Sequence, residues 1–269
     1  LNDGQQNPDI INGEQFAIEH ASSDIGGTAG IRSLYTFITA DEDQRQLLLG
    51  QRAPRVDKSL KLSKSYHPDY DDIILKAKQA QDYFLLIGPP GTGKTSQALQ
   101  FLVREQLATS PTSQSSTPKS QSSILLLAYT NRAVDEICGM LTANHFDYVR
   151  IGNEFSCDPK YSDHLLSSLL GENPSLASIR EKISSAQIIV ATTSTMNSRS
   201  ALFNIKHFDL AIIDEASQIL EPNIVGILSA GHGEKRSIER FILIGDHKQL
   251  PAVVQQGDIE TAIDSPLLK

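Results

Sequence analysis

The stretch Tyr83-Phe84-Leu85-Leu86-Ile87-Gly88-Pro89-Pro90-Gly91-Thr92-Gly93-Lys94-Thr95 joins a short apolar run to a glycine-rich loop. Its last eight residues fit the pattern G-x-x-x-x-G-K-[ST], and residues 96–102 favour a helix. Strand, glycine loop and helix in this order predict a phosphate-binding loop, because glycines let the backbone N–H groups turn inward around an anion. The following helix presents its partially positive N-terminus to the same anion.

This loop predicts a site for a nucleoside triphosphate. Lys94 can reach the β- and γ-phosphates, and the hydroxyl of Thr95 can bind Mg²⁺. The nucleotide-binding residues that we predict are the loop and the residue after it: Gly88, Pro89, Pro90, Gly91, Thr92, Gly93, Lys94, Thr95 and Ser96.

Further short apolar runs follow the loop and alternate with longer helical segments. Continuous rather than alternating hydrophobicity is typical of strands that are covered on both faces, as in parallel sheets. We therefore predict an α/β domain with a central parallel sheet and helices on both faces. The predicted strands are 83–87, 124–128, 148–151, 188–192, 210–213 and 241–244, and the predicted helices are about 94–108, 132–143, 175–185 and 217–229.

The run at 210–213 ends in two adjacent carboxylates, Asp214 and Glu215. Ligands of parallel α/β sheets bind at the carboxyl ends of the strands, so these two carboxylates are predicted to lie beside a bound ligand. We assign Asp214, together with Thr95, to Mg²⁺. We assign Glu215 to orienting and deprotonating an attacking water, a role that needs a carboxylate within hydrogen-bond reach.

A third polar cluster, at residues 245–251, follows the run at 241–244. Gln249 is the natural sensor of a γ-phosphate there, because its amide both donates and accepts hydrogen bonds. The predicted catalytic residues are thus Glu215, Lys94 and Gln249.

Together these elements resemble the first motor domain of superfamily 1 helicases, in the branch of the nonsense-mediated-decay helicase and the replication nuclease-helicases. The resemblance rests on Gly-Pro-Pro-Gly-Thr-Gly-Lys-Thr at 88–95, Asp-Glu-Ala-Ser-Gln at 214–218 and Gly-Asp-His-Lys-Gln-Leu-Pro at 245–251. Residues 127–135 are similar to the family's motif Ia, and residues 190–196 to its motif Ic. The resemblance to the family covers about residues 83 to 254.

The resemblance implies a RecA-like P-loop NTPase fold that binds ATP. It implies that the strand ending at Gly245 lies between those of the phosphate loop and the Asp214-Glu215 pair, which brings Gln249 beside the γ-phosphate. Motifs Ia and Ic would lie on the opposite rim and contact phosphates or sugars of single-stranded DNA or RNA without reading sequence. The residues expected there are Thr130, Asn131, Arg132, Thr193 and Ser194.

By the same resemblance, the parent protein is expected to be an ATP-dependent helicase or translocase with 5′ to 3′ polarity. A second RecA-like domain with arginine fingers would complete the motor, so this chain alone should bind ATP but hydrolyse it slowly. One alternative stays open: a nucleotide-dependent switch or assembly ATPase without unwinding. The 6% aromatic content without tryptophan favours that alternative, since few base-stacking platforms are apparent.

One position departs from the family pattern. The family places an adenine-reading glutamine about seventeen residues before the first loop glycine, and this chain has Asp71 there. The resemblance therefore predicts binding of a triphosphate more firmly than selection of adenine.

Composition separates a front segment from the motor domain. The net charge of −8 argues against a small basic nucleic-acid module. Residues 1–75 hold 12 acidic and seven basic residues, so most of this negative charge lies in the front segment. We expect residues 1–70 to be an N-terminal extension, either an accessory element or the tail of a preceding domain, with a turn at 26–30 and a helix at about 31–49. Residues 71–269 would be the motor domain, with a flexible Ser/Thr-rich loop at 109–123.

Two cysteines supply neither a disulfide framework nor a four-ligand zinc site, so a reducing, cytoplasmic compartment is expected. The apolar runs are shorter than the roughly 18 residues of a membrane helix. Since Leu1 is not an initiator, we expect the chain to be a piece of a longer protein.

Overall fold

The computed structural model describes residues 25–89, 91–108, 122–232, 235–246 and 248. In these residues, six strands form a parallel sheet with the order β1-β8-β5-β2-β4-β3, and two form a separate antiparallel hairpin. The predicted parallel α/β sheet is confirmed. The sheet strands are β1 (Tyr83–Ile87), β2 (Ile124–Ala128), β3 (Val149–Ile151), β4 (Ile188–Thr192), β5 (Leu210–Asp214) and β8 (Phe241–Gly245), and the hairpin strands are β6 (Gly231–His232) and β7 (Lys235–Arg236).

Helices cover both faces of the sheet. The α-helices are α1 (Ile25–Ile38), α2 (Glu42–Leu48), α3 (Asp71–Gln79), α4 (Leu99–Ala108), α5 (Asn131–Ala143), α6 (Leu166–Leu170), α7 (Leu176–Ser185), α8 (Thr193–Ser198) and α9 (Glu221–Leu228). A π-helical turn spans Lys94–Ala98, and 3₁₀ turns span Glu154–Ser156, Pro159–His164, Ser200–Asn204 and Ala216–Gln218.

Burial of the strands explains their continuous apolar sequence. Every residue of β2, β4 and β5 is buried. One hydrophobic core lies between the sheet and α3, α4 and α5, and a second lies between the opposite face and α7, α8 and α9. Each fully buried Leu, Ile or Val contributes about 1.5–3 kcal/mol through burial. The two cores therefore fix the strands whose carboxyl ends carry the site.

The strand order matches what the resemblance implied. Strand β8 pairs with β1 on one side, with Ile87 opposite Gly245, and with β5 on the other, with Ile213 opposite Leu243. Because all three strands are parallel, their carboxyl ends meet at one edge of the sheet. The phosphate loop, Gly245 and Asp214 are thereby brought together.

The front segment differs from its prediction. The helix expected at 31–49 is two helices, because Asp41 is extended and caps α2 by accepting the N–H of Gln44 at 3.0 Å. The glycines at 26–30, expected to form a turn, lie within α1. Contacts between α1 and α9 override the weak helix propensity of glycine here.

Two boundaries in the motor domain also differ. The helix predicted at 217–229 begins at Glu221, because Leu220 is extended and Pro222 occupies the first turn, where its missing N–H costs nothing. Of the loop predicted at 109–123, Ser122 and Ser123 are buried, and Ser123 donates its N–H to Asp209 at 2.7 Å. The rest of that loop lies outside the described residues.

Residues from the front segment pack directly on the motor fold. Gly226 of α9 donates its N–H to the hydroxyl of Ser33 in α1 at 2.7 Å. A Cβ at Gly226 would lie 2.6 Å from the Cα of Ser33, so only glycine permits this approach. Gln44 in α2 donates to the carbonyl of Leu228. These contacts attach α1 and α2 to α9.

An ion-pair network holds the same segment to the start of β1. The side chain of Asp82 is 0% exposed and accepts hydrogen bonds from Arg52 at 2.8 Å and from the backbone N–H of Arg55 at 2.6 Å. Burial alone would raise the pKa of Asp82, but the bonds from Arg52 and Arg55 outweigh it and hold the pKa far below its usual range. Asp82 is therefore charged in the folded protein.

We expect Asp82→Ala to destabilise the protein by about 2 kcal/mol, because Arg52 then keeps only its ion pair with Asp43 and the backbone N–H of Arg55 loses its acceptor. Asp72→Ala, which removes an exposed ion pair with Lys76, should cost less than about 0.5 kcal/mol. Urea unfolding of both variants measures the difference in the free energy of unfolding. It appears as a shift of the urea midpoint, with the dependence of the free energy on urea concentration unchanged.

The Asp82 contribution should be fully present above about pH 4 and should fade as the pH falls further, because the folded pKa lies below the unfolded one. Equal stabilities of Asp82→Ala and the unchanged chain at pH 7 would contradict the role given to the network.

Candidate functional site: a nucleotide cleft at the carboxyl edge of the sheet

The phosphate loop has the backbone that its glycines predict. Gly91 and Gly93 have φ values of 77° and 73°, in the left-handed region that favours glycine. The ammonium group of Lys94 donates to the carbonyls of Gly88 and Pro89, the latter at 2.7 Å. Lys94 therefore lies over its own loop, where a phosphate could exchange for these carbonyls. Pro90 lies outside the described residues.

A tyrosine that the motif does not contain braces the loop. The hydroxyl of Tyr70, just before α3, donates to the carbonyl of Thr92 at 3.0 Å. A Cβ at Gly93 would lie 2.5 Å from the same hydroxyl. Beyond Gly93, the chain starts as a π-helical turn in which the Gly93 carbonyl accepts the N–H groups of Gln97 and Ala98 at 2.8 and 3.0 Å. No sequence signal pointed to Tyr70.

Thr95 and Asp214 meet across the cleft. The hydroxyl of Thr95 donates to the carboxylate of Asp214 at 2.5 Å, although 119 residues separate them in sequence. Burial raises the pKa of Asp214, and the hydrogen bonds from Thr95 and from the Glu215 N–H moderate that rise. Hydroxyl and carboxylate oxygens are hard ligands of the kind Mg²⁺ prefers, so the pair predicted for the metal fits it.

Glu215 combines backbone strain with an unused acceptor. Its φ of 53° is left-handed, which costs a non-glycine residue about 1–3 kcal/mol. Its Oε2 atom is buried and has no hydrogen-bond partner. Burial, and then the charges of Asp214 and Glu136, raise the pKa of Glu215. A buried carboxylate oxygen with a raised pKa and a free lone pair is suited to accept a proton from water.

The end of β8 closes the third side of the cleft. A Cβ at Gly245 would lie 3.1 Å from the backbone N of Ser217, so glycine lets the turn after Glu215 pack on β8. The N–H of Asp246 donates to the hydroxyl of Ser217 at 3.3 Å. Gln249, the predicted phosphate sensor, lies outside the described residues. The cleft is lined by Gly91, Thr92, Gly93, Lys94, Thr95, Ser96, Glu136, Met140, Ala143, Asn144, Asp214, Glu215, Gly245 and Asp246.

The predicted strand-binding residues of motif Ia lie at the start of α5. Thr130 caps this helix by accepting the N–H of Ala133 at 3.1 Å. Asn131 is exposed, and the side chain of Arg132 is 89% exposed beside Glu136. Asn131 and Arg132 can therefore reach a ligand on the surface, whereas the Thr130 side chain also hydrogen-bonds Glu215.

The two residues predicted in motif Ic separate. Ser194 is exposed, but Thr193 is only 2% exposed. The hydroxyl of Thr192 caps α8 by accepting the N–H of Thr195 at 3.1 Å, and the helix then turns Thr193 inward. The Thr193 side chain is thus inaccessible to a strand in this structure, and its contact with a strand stays a prediction.

Asp71, at the expected glutamine position, serves its own chain. Its Oδ1 atom accepts the N–H groups of Tyr66 and His67 at 2.8 and 3.0 Å, and its Oδ2 accepts the hydroxyl of Ser65. These bonds, led by that of Ser65, lower the pKa of Asp71. The carboxylate thus organises the turn before α3.

Comparison with protein families finds one matching family. Residues 67–178 and 172–256 match the family described as "AAA domain".

Curated proteins similar to this chain include two nuclease-helicases. The chain is 32% identical over 233 residues to the DNA replication ATP-dependent helicase/nuclease JHS1 of Arabidopsis thaliana, a match that covers 82% of this chain and 16% of that protein. It is 34% identical over 181 residues to the DNA replication ATP-dependent helicase/nuclease DNA2 of Homo sapiens, covering 66% of this chain and 15% of that protein. The chain thus spans about one sixth of the length of these relatives.

Among solved structures, the UvsW helicase from bacteriophage T4 matches with a TM-score of 0.41 and 14% identity, covering 91% of this chain and 81% of that chain.

None of the helices in the described part of the chain is long and apolar enough to span a bilayer.

We expect Gly93→Ala to weaken binding of a fluorescent ATP analogue more than ten-fold, because the new Cβ both strains a left-handed φ and collides with the Tyr70 hydroxyl. Gly50→Ala is the matched control, since Gly50 also has a positive φ of 68° but a Cβ there meets nothing within 4 Å. Equal affinities of the two variants would contradict the bracing role of Tyr70.

Proposed function

Since this chain belongs to the AAA-domain family and is a RecA-like motor domain of the superfamily 1 helicase type, we propose that it binds and hydrolyses ATP to move its parent protein along single-stranded DNA. The observation that carries the proposal is the contact between Thr95 and Asp214. It joins the helix after the phosphate loop to the end of β5, so one bound Mg²⁺-nucleotide can touch both.

Different residues of the cleft would bind the phosphates, hold the metal ion and accept the proton of the attacking water. Loop N–H groups and the start of the 94–108 helical segment hold the phosphates, and Lys94 exchanges its carbonyl partners for β- and γ-phosphate oxygens. Thr95 and Asp214 would hold Mg²⁺, which neutralises charge on the phosphate oxygens when bound. Glu215 accepts a proton from the attacking water at its unpartnered Oε2. Gln249 is proposed to contact the γ-phosphate from the turn after β8.

The proposal includes a second RecA-like domain in the parent protein. Arginine fingers contribute about 10³–10⁵-fold to phosphoryl transfer, and the cleft residues that the structure describes include no arginine. Hydrolysis by this chain alone should therefore be slow, and closure of two motor domains on ATP would drive stepwise movement. We propose 5′ to 3′ polarity from the same family resemblance.

The strand would cross the rim formed by the ends of β2 and β4. We propose that phosphates and sugars are bonded there by Thr130, Asn131, Arg132 and Ser194. Such contacts hold a strand without reading its sequence. DNA is favoured over RNA because the relatives are named as DNA replication enzymes. We also propose a reducing, cytoplasmic compartment, because two cysteines are too few for the disulfide framework of a small secreted domain.

A second candidate, a nucleotide-dependent switch without unwinding, is favoured by the burial of Thr193, which removes one expected strand contact. Strand binding by the full-length protein distinguishes the two candidates, because a switch with a protein partner needs no nucleic acid.

In the full-length protein, we expect Glu215→Gln to keep ATP affinity within about two-fold and to lower turnover by about 10²–10⁴-fold, the usual contribution of a general base. Phosphate release measures turnover, and Glu221→Gln, an exposed change at the start of α9, is the control. Undiminished hydrolysis by Glu215→Gln would show that the base has been assigned wrongly.

Arg132→Ala should weaken binding of single strands of any sequence and should reduce the slope of log affinity against log salt by about 0.7, the value for one lost phosphate contact. Lys58→Ala removes an equally charged, exposed residue from the front segment and should change neither quantity. Titrations of a labelled oligonucleotide at several salt concentrations measure both quantities. An unchanged slope for Arg132→Ala would show that Arg132 does not contact a phosphate of the bound strand.

A further inference from the structure

Phe155 is the most exposed large apolar side chain in the described part of the chain, at 90%. It lies four residues beyond the end of β3, in the 3₁₀ turn Glu154–Ser156. A phenyl ring in water gains nothing for the fold. Single exposed apolar side chains are common on protein surfaces, so the position of Phe155 and the way it is held matter more than its exposure.

The loop that carries Phe155 is well bonded. The side chain of Asn153 accepts the N–H of Phe155 at 3.0 Å, and the Asn153 carbonyl accepts both the N–H and the hydroxyl of Ser156 at 3.1 Å. Cys157, directly after the turn, is buried. The phenyl ring is therefore held outward by a defined turn.

A buried ion pair fixes this turn beside α5. Arg150 in β3 pairs with Asp135, one turn into α5, and also donates to the carbonyl of Ser156 at 3.4 Å. Asp135 in addition accepts the N–H of Asp158 at 3.2 Å. The turn at 154–156 is thereby tied to the helix that begins with Asn131 and Arg132.

Strand order places Phe155 on the rim proposed for the strand. β4 lies between β2 and β3, and all three are parallel, so their carboxyl ends share one edge of the sheet. Tyr129 follows β2 and is exposed, Ser194 follows β4, and Phe155 follows β3. The nucleotide cleft occupies the other half of this edge, at β1, β8 and β5.

The exposed cations that follow β2 and β3 are matched by exposed acids. Arg132 pairs with Glu136 at 3.4 Å, and Lys160 and Glu154 are both exposed in the segment after β3. Phosphate attraction alone would therefore hold a strand weakly here. An aromatic face adds an attraction that does not depend on charge, because every base has a π-face.

We propose that Phe155 is a stacking platform for an unpaired base of the single strand that crosses this rim. The inference rests on the proposed strand-binding function and adds a contact that holds a base without selecting among the four. Arg150 and Asp135 act as positioning residues, since they fix the turn that presents the ring.

The absence of tryptophan in the chain gives this inference a clean probe. Phe155→Trp introduces a single indole, whose emission should be quenched when a base stacks on it. Val56→Trp is the control, because Val56 is exposed beside Ala80, just before β1 and at the opposite edge of the sheet. We expect oligo(dT) to quench the emission of Phe155→Trp in the 269-residue chain and to leave that of Val56→Trp unchanged.

Affinity separates stacking from mere apolar contact. Phe155→Leu keeps an apolar side chain but has no π-face, and it should bind oligo(dT) roughly ten-fold more weakly, within the range of one lost stacking contact. Phe155→Trp should bind at least as tightly as the unchanged chain. Affinity for the ATP analogue should be the same in all three proteins.

The outcomes distinguish the inference from the function beneath it. If the unchanged chain binds no oligo(dT), the proposed strand-binding function fails and this inference with it. If the unchanged chain binds, but Phe155→Leu binds equally well and Phe155→Trp is not quenched, only the inference is overturned.

Discussion

The hydrogen bond between Thr95 and Asp214 is the contact on which the site depends. It exists because β8 lies between β1 and β5, which aims the phosphate loop and the carboxylate at the same point from either side. A different strand order would leave the same motifs in the sequence but separate them in space. Strand topology therefore brings two distant sequence patterns together in the one site that we propose for Mg²⁺ and the phosphates.

The two cores offset the cost of this site. Asp214 is buried, Glu215 is strained and has a buried oxygen without a partner, and the pKa values of both carboxyls are raised. Each of these features opposes folding and favours chemistry, since a desolvated carboxylate interacts more strongly with a metal or a proton. Burial of every residue of β2, β4 and β5 stabilises the fold and offsets these unfavourable features.

Sequence predicted the sheet strands and the strand-loop-helix form of residues 83–108 well, because continuous apolar runs and glycine-rich turns are local signals. It missed what tertiary contacts decide. Tyr70 braces the phosphate loop from outside the motif, and Thr193 turns inward because Thr192, rather than Thr193, caps α8. The pairing of Arg150 with Asp135 depends on β3 lying beside α5, which no spacing in the sequence reveals.

In our proposal, nucleotide chemistry and strand contacts lie on two halves of one sheet edge, with β5 and β2 adjacent at the boundary. We propose that ATP turnover at β1, β8 and β5 drives movement along a strand held at β2, β4 and β3. ATP hydrolysis by the full-length protein, measured with and without single-stranded DNA, tests this coupling. DNA should increase the turnover number at saturating ATP, whereas an identical turnover number with and without DNA would show that the two halves of the edge are not coupled.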